Sequence, residues 1–273
     1  MRVASIHTYP VKSCHRVDQD RAAVQPWGLA GDRRWLVVDL DGTAITQRDI
    51  PGLTGIRPAH RADGGVALRT TDLPDLEVPP PAGAVQQVTV WGSTVGATPA
   101  GGDADAWLTK ALGRPVRLVW LDDPTQRSVN PEFGTPQDRV SFADAHPLLL
   151  ANAASLDALN GWLLESGNPE APVPMTRFRP NVVVSGAPAW AEDAWLGHRV
   201  RIGAVTFRAV KPCGRCVVTT VDQETGQQGQ EPLKMLGRRR VIDQRLVFGM
   251  LLNPDPPYGE IAVGDPVTAP DHR

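Results

Sequence analysis

VKPCGRCVVTTVDQETG, residues 210–226, holds two of the chain's three cysteines, and the residues after Cys216 decide the fold class. A redox pair of the thioredoxin kind needs its C-x-x-C at the head of a helix, where the helix dipole lowers the thiol pKa. Here Val217, Val218, Thr219 and Thr220 come next, β-branched residues that favour strands. Pro212 and Gly214 suit a turn and not a strand interior. The segment therefore predicts a strand ending at Val210, a turn over KPCG, and a new strand starting at Cys216, with Arg215 in the tight connection.

The flanking sequence extends the β pattern. RFRPNVVVSG (177–186), HRVRIGAVTFRAV (198–210) and GDPVTA (264–269) all read as strands. ASLDALNGWLLESG (154–167) reads as a helix with Ser155 as N-cap and Gly167 just past its end, and EPLKMLGRR (231–239) as a short late one. In the first half, RWLVVDLDGTAITQ (34–47) predicts a hairpin with a primed turn at Asp41-Gly42. VQQVTVWGSTVGATPAG (85–101) predicts further strand with a break at Gly92. A helix comes next, with Asp103 as cap, Trp107, Leu108, Ala111 and Leu112 on one face, and a stop at Gly113 and Pro115. DDPTQRSVNPEFGTPQ (122–137) is polar and unpatterned, a loop near a domain junction and over a site. The expected class is mainly β with a few helices (α+β). It comprises a β-rich domain over residues 1–120 and a β-barrel with one early and one late helix over residues 121–273.

Bulk properties agree. The 273 residues include 26 glycines and 26 prolines, which fits short strands joined by tight turns. A formal charge of −2 suggests no polyanionic partner, so no nucleic acid is expected. No apolar run reaches about 18 residues, so no membrane span is expected. MRVASIHTYPVKS at the N-terminus lacks the apolar centre of a signal peptide, and three cysteines are too few for a disulfide scaffold, so the expected compartment is the cytoplasm.

The cysteine pair admits four chemistries. A redox disulfide lacks its helix. A structural zinc needs four ligands, yet only Cys14 remains and the six histidines are scattered. Two inert buried thiols would need no partner. A single thiolate can bind a soft metal whose other ligands come from a cofactor, and Lys211 and Arg215 beside it favour the thiolate. Other cations also stand beside turns: Lys12 with Ser13 after the first strand, and Arg33 with Arg34 at a strand entrance. Arg177, Arg179 and Asn181 alternate along RFRPN, which on a strand would aim all three to one side. Any one of these would ordinarily be a solvated surface charge. Together they are what an anion-binding pocket would use, each bond to a phosphate contributing about 1.5–3 kcal/mol.

YPVKSC, GDRRWLVVD, FADAHPLLL, RFRPNVVVSG, EDAW, CGRCVVTTVD and VGDPV, in this order and spacing, resemble the MOSC superfamily preceded by its N-terminal β-barrel domain. Within it, the chain resembles the amidoxime-reducing components and their bacterial counterparts. The resemblance implies a MOSC-type β-barrel in the second half. It also implies a molybdenum cofactor (Mo-molybdopterin) with Cys216 as the protein's ligand to the metal. Lys12, Ser13, Arg33, Arg179, Gly214 and Arg215 match positions that hold the pterin and its phosphate, and Asn181 one near the same pocket. Asp144 matches an acidic position near the metal and is an expected proton relay. Cys213 has no implied ligand role.

The implied activity is two-electron reduction of small N-hydroxylated substrates. With three cysteines the chain cannot hold a ferredoxin cluster, so an external iron–sulfur or haem protein is the implied electron donor. Two other expectations compete: a molybdenum-cofactor carrier or sulfur-handling protein without turnover, and a plain β-barrel interaction protein.

Overall fold

Val3 and Ile6 both point inward from the first strand although they lie three positions apart, because the strand's pairing register slips between Val3 and Ser5. The computed structural model describes residues 1–270, so the last three residues of the expected second domain lie outside it. Along the first half run β1 (Arg2–Thr8), β2 (Val17–Gln19), β3 (Arg21–Gln25), β4 (Gly28–Leu29), β5 (Trp35–Val38), β6 (Arg57–His60), β7 (Val66–Thr70), β8 (Leu73–Val78), β9 (Gln86–Val90), β10 (Ser93–Pro99), α1 (Gly102–Leu112) and β11 (Arg117–Trp120). After the turn-rich stretch come β12 (Leu148–Asn152), α2 (Ala153–Glu165), β13 (Val182–Ser185), β14 (Arg199–Ile202), β15 (Val205–Gly214), α3 (Leu233–Arg239), β16 (Val241–Ile242), β17 (Arg245–Asp255), β18 (Glu260–Ala262) and β19 (Val267–Thr268).

The protein is mainly β, as expected. Its largest sheet has the order β19-β14-β15-β17-β12-β13-β1-β2, with β16 attached to β17. Its neighbours pair antiparallel except β12 and β13, whose parallel pairing needs the crossover that α2 supplies. The sheet curls, yet no ladder closes it among the described residues: the β19 end meets the start of β1 through the single bridge Arg2–Pro266. The expected barrel is thus an incompletely closed one. One face buries Ile6, Leu150, Val182, Phe207, Met250 and Leu252. Another cluster joins α2 and α3 to β17 through Leu159, Leu163, Leu236 and Phe248, with Phe178 and Phe248 stacked 3.7 Å apart. Full burial of each such side chain contributes about 1.5–3 kcal/mol.

The first half adds the sheets β5-β11-β10-β9 and β6-β7-β8. Two cores serve them: one gathers Trp35, Leu53, Leu68 and Leu108, the other Leu36, Val88, Val95 and Phe142. We propose two units parted near residue 120, the first lending strands β1 and β2 to the second's sheet.

Several local expectations change. The Asp41-Gly42 turn is not primed, because only Gly42 has a positive φ, and Gly42 N and Thr43 O both bond Asp39. Helix α1 is capped by Gly101, with Asp103 in its first turn, while Gly113 ends it in the left-handed conformation as expected. Helix α2 is capped by Asn152, whose side chain accepts from Ala154 N at 3.2 Å, and Ser155 instead donates to buried Glu192 at 2.9 Å. RFRPN is not a strand. Met175–Phe178 form a 3₁₀ turn and Arg179 is left-handed, so the three side chains do not share one face. Arg177 turns instead to Thr220 O at 2.6 Å and to Asp222.

Candidate active site

Strand β15 does not stop at Val210. It continues to Gly214 against β17, pairing Lys211 with Leu251, Pro212 with Met250 and Gly214 with Val247. Register slips at Ala209/Lys211 and Pro212/Gly214 make room for the proline, so KPCG is bulged strand and not a turn. Cys216 is extended but begins no strand, for Val217–Thr220 form a 3₁₀ turn. Hydroxyls override the β propensity here. Thr219 donates to Cys216 O from both N (3.0 Å) and Oγ1 (2.9 Å), and Thr220 Oγ1 donates to Val217 O at 2.8 Å.

This bend forms one wall of a cavity of about 310 Å³. Every expected site residue lines it: Lys12, Ser13, Arg33, Asp144, Arg179, Asn181, Gly214, Arg215 and Cys216. Arg34 does not, being turned away onto Leu121 O at 2.9 Å. The lining holds seven cationic side chains and one acidic one. Seven non-glycine residues have a positive φ among the described residues, and four of them, Ser13, Arg33, Trp91 and Arg179, line this cavity. Such strained backbone gathers at sites whose surroundings over-determine it.

The cations are held by more than charge. The guanidinium groups of Arg33 and Arg179 lie over the Tyr9 ring at 4.4 and 4.2 Å, while Tyr9 Oη donates to Pro180 O at 3.0 Å. Arg179 also donates to Gln223 Oε1 at 2.7 Å and Cys14 O at 2.8 Å, and burial pulls its pKa down to about 10, still charged at neutral pH. Arg33 donates to Asp32 and to Asn181 Oδ1 at 3.1 Å. Asn181 is 1% exposed and committed to the protein, accepting also from Leu149 N and donating to His7 O. Its Oδ1 therefore orients Arg33, while its amide nitrogen uses one of two hydrogens, on His7 O. Arg215 donates to Phe178 O at 2.6 Å and to Cys213 Sγ at 2.9 Å, yet its Nε is buried without a partner.

Lys12 is buried, and burial lowers its pKa despite its ion pair with Asp144. Asp144 stands in the cavity wall with its side chain 65% exposed. Crowding by protein would raise its pKa, but Lys12, a hydrogen bond from Trp91 Nε1 at 3.1 Å and the Arg48 charge overcome that and hold it far below the usual carboxylate range. In this arrangement Asp144 is the counter-ion of Lys12.

Arg48, Trp91, His146 and Arg245 also line the cavity and were not legible as site residues. Arg48 Nη2 lies 3.1 Å from Cys216 Sγ, and its guanidinium stacks 4.3 Å over Trp91. Trp91 and Gly92 form the two-residue tip of the β9–β10 hairpin, both with positive φ. A tryptophan where such turns favour Asn or Gly was the one available signal. His146 is fixed by Asn253 Oδ1 at 2.9 Å, which is in turn held by Asp138. The stretch 122–137 reaches the cavity's edge, where Phe133 lies 3.5 Å from the Lys211 ammonium.

All three cysteines are free of disulfides, and Cys14 is fully buried, its thiol pushed up to about 12 by burial. Among the described residues no three His, Cys, Asp or Glu side chains assemble into a metal-holding group, so the zinc alternative has no ligand set. No helix of the described residues is long and apolar enough to cross a membrane.

Comparison with known proteins bears on both halves. The family profile of the MOSC N-terminal beta barrel domain matches residues 1–115, and that of the MOSC domain matches residues 137–268. The chain is 35% identical over 289 residues to mitochondrial amidoxime-reducing component 1 of Homo sapiens, covering 97% of this chain and 82% of that protein. It is 32% identical over 286 residues to the human mitochondrial amidoxime reducing component 2, with the same coverage of 97% and 82%. Against the molybdenum cofactor sulfurase of Bos taurus it is 29% identical over 267 residues, covering 92% of this chain but 30% of that protein.

Proposed function

The chain belongs to the family that joins a MOSC N-terminal β-barrel domain to a MOSC domain, and from that premise we propose that it is a molybdenum-cofactor-dependent reductase of N-hydroxylated compounds. One observation carries the proposal: Cys216 Sγ faces a cavity lined by seven cations and one acid, a donor set suited to a sulfur-ligated metal on an anionic carrier. The buried, orphaned Nε of half-buried Arg215 adds a donor with no protein acceptor. The names of the amidoxime-reducing relatives supply the substrate class.

Cys216 would ligate the metal. Lys12, Ser13, Arg33, Arg179 and Arg215 would hold the pterin and its phosphate, with Asn181 setting Arg33. Gly214 leaves space beside them. When bound, the group supplies a metal centre able to pass two electrons to an N–O bond. In the net reaction R–NHOH takes up two electrons and two protons, the N–O bond breaks, and R–NH₂ and water leave. The electrons come from an external iron–sulfur or haem protein. Arg48 and Trp91 stand beside Cys216 in the cavity wall, and Asp144, paired with Lys12, would relay the protons.

The test is protein made in a host that synthesises the cofactor, assayed for molybdenum and for conversion of benzamidoxime to benzamidine. Cys216→Ser is expected to abolish turnover with the fold intact, and Cys213→Ser to be tolerated. Full activity of Cys216→Ser would sink the ligand assignment. Stoichiometric molybdenum without turnover would mark a carrier instead.

A further inference from the structure

The seven cations of the cavity differ in what they already hold. Lys12, Arg33, Arg48, Arg179 and Arg215 each donate to a protein acceptor. Lys211 and Arg245 line the same cavity, and neither has a hydrogen-bond acceptor or an ion-pair partner among the described residues. They also lie together. Lys211 is on β15 and Arg245 opens the adjoining β17, where its side chain runs alongside Gly214, 3.7 Å from the position a Cβ there would take. Lys211 is held by the Phe133 ring, 3.5 Å from its ammonium, a contact that positions the charge without neutralising it. Burial first, and then the Arg245 charge, pull the Lys211 pKa down, with Glu132 opposing them. Two like charges side by side at a cavity wall are unfavourable until an anion comes between them.

The pair adjoins Gly214 but stands on different elements from Arg33 and Arg179. Arg33 and Arg179 are gathered on Tyr9, beside β1 and β13, whereas Lys211 and Arg245 belong to the β15–β17 ladder. We propose that Lys211 and Arg245 form a subsite for a carboxylate on the substrate, so that the compounds this protein reduces are acidic N-hydroxylated molecules. The guanidinium fork and the ammonium suit a planar carboxylate, which offers two oxygens to them. The proposal rests on the reductase function above and narrows its substrate class.

The test compares benzamidoxime with 4-carboxybenzamidoxime, alike in shape and differing by one negative charge. With the cofactor-loaded protein, kcat/KM should favour the carboxylated compound about tenfold at low salt, since partly exposed charge pairs contribute modestly and are screened. In the Lys211→Gln/Arg245→Gln double variant that ratio should fall to about one, as charge complementarity is removed. A ratio near one in the unaltered protein, or an unchanged ratio in the variant, overturns the proposal. So does a loss of molybdenum and pterin from the variant with the ratio intact, which would give the pair to the cofactor. Calorimetric binding of the two compounds separates this proposal from the reductase function. If neither is turned over, the reductase function fails, and the carboxylate subsite still stands or falls on the same affinity ratio.

Discussion

Glu192 is a fully buried carboxyl that plays no part in the cavity. Its Oε2 accepts from Asn152 Nδ2 at 3.1 Å and Ser155 Oγ at 2.9 Å, and its Oε1 has no partner. Burial raises its pKa, with the nearby Asp193 charge adding to it and the two hydrogen bonds opposing. Between the ordinary Glu value and the raised native value, the native state binds more protons than the unfolded one. Stability therefore falls as pH rises through that window and stays lower above it. Glu192→Gln mimics the protonated form and removes this loss. Its melting temperature should therefore exceed that of the unaltered protein at pH 8, with the gap closing towards pH 5. Each kcal/mol of difference would appear as about 2–4 °C. A gap independent of pH would show that Glu192 stays ionised. At this scale chemical type was legible and partnership was not. Cys216, Lys12 and Arg179 stood out by residue type beside turns. Arg48 could not, because the sulfur it touches lies 168 residues away along the chain.

Among elements, the turn DQETG docks the cysteine segment onto the first half. Asp222 Oδ1 caps it by accepting from Glu224 N and Thr225 N, and Glu224 is pulled down to about 2 chiefly by Arg16, with Arg57 and His15 adding to it against burial. At its centre Gln223, 3% exposed, exchanges two hydrogen bonds with the Gln47 amide, at 3.0 and 3.1 Å, and accepts from Arg179. Gln47 in turn donates to Ser13 O at 2.7 Å and precedes Arg48. The Gln223 amide thus ties Arg179 directly, and Ser13 and Arg48 through Gln47, around the cavity. Gln223→Ala leaves the buried Gln47 amide and the half-buried Arg179 guanidinium short of partners and should cost about 2–4 kcal/mol of stability. Cofactor occupancy should fall with it, as Arg179 loses its anchor. A loss under about 0.5 kcal/mol in chemical denaturation, the range of an ordinary surface substitution, would show the network to be dispensable. The turn itself was legible, since Asp and Gly announce it. Its docking was not, and the turn expected over KPCG and the strand expected after it failed for a related reason. Threonine hydroxyls closed a 3₁₀ turn that propensity alone would not form, and bulges let Pro212 stay within a ladder.

At the scale of the molecule, length and composition indicated a β-rich chain, and the local strand patterns fixed most of its second half. Long-range pairing left no such mark. β1 reads only as an alternating strand, yet its partner is β13, with His7 N donating to Asn181 O at 2.8 Å. The first strands therefore complete the sheet that the second half builds, and they bring Tyr9, Lys12 and Ser13 to the cavity. This makes the two units unequal when parted near residue 120. A fragment of residues 121–270 would expose the β13 edge and uncover Val182 and Val184, both fully buried in the whole chain. An unpaired apolar edge of this kind pairs with other chains. The fragment alone should show no cooperative melting and should aggregate. Adding a fragment of residues 1–120 should restore a cooperative transition, because it returns β1 and β2 together with the cores that pack on them. The cavity should re-form as well, seen as recovery of molybdenum binding by the mixture. If residues 121–270 alone melted cooperatively within a few degrees of the full chain, β1 would be an accessory strand, and Lys12 and Ser13 would reach the site by docking instead of by completing the sheet.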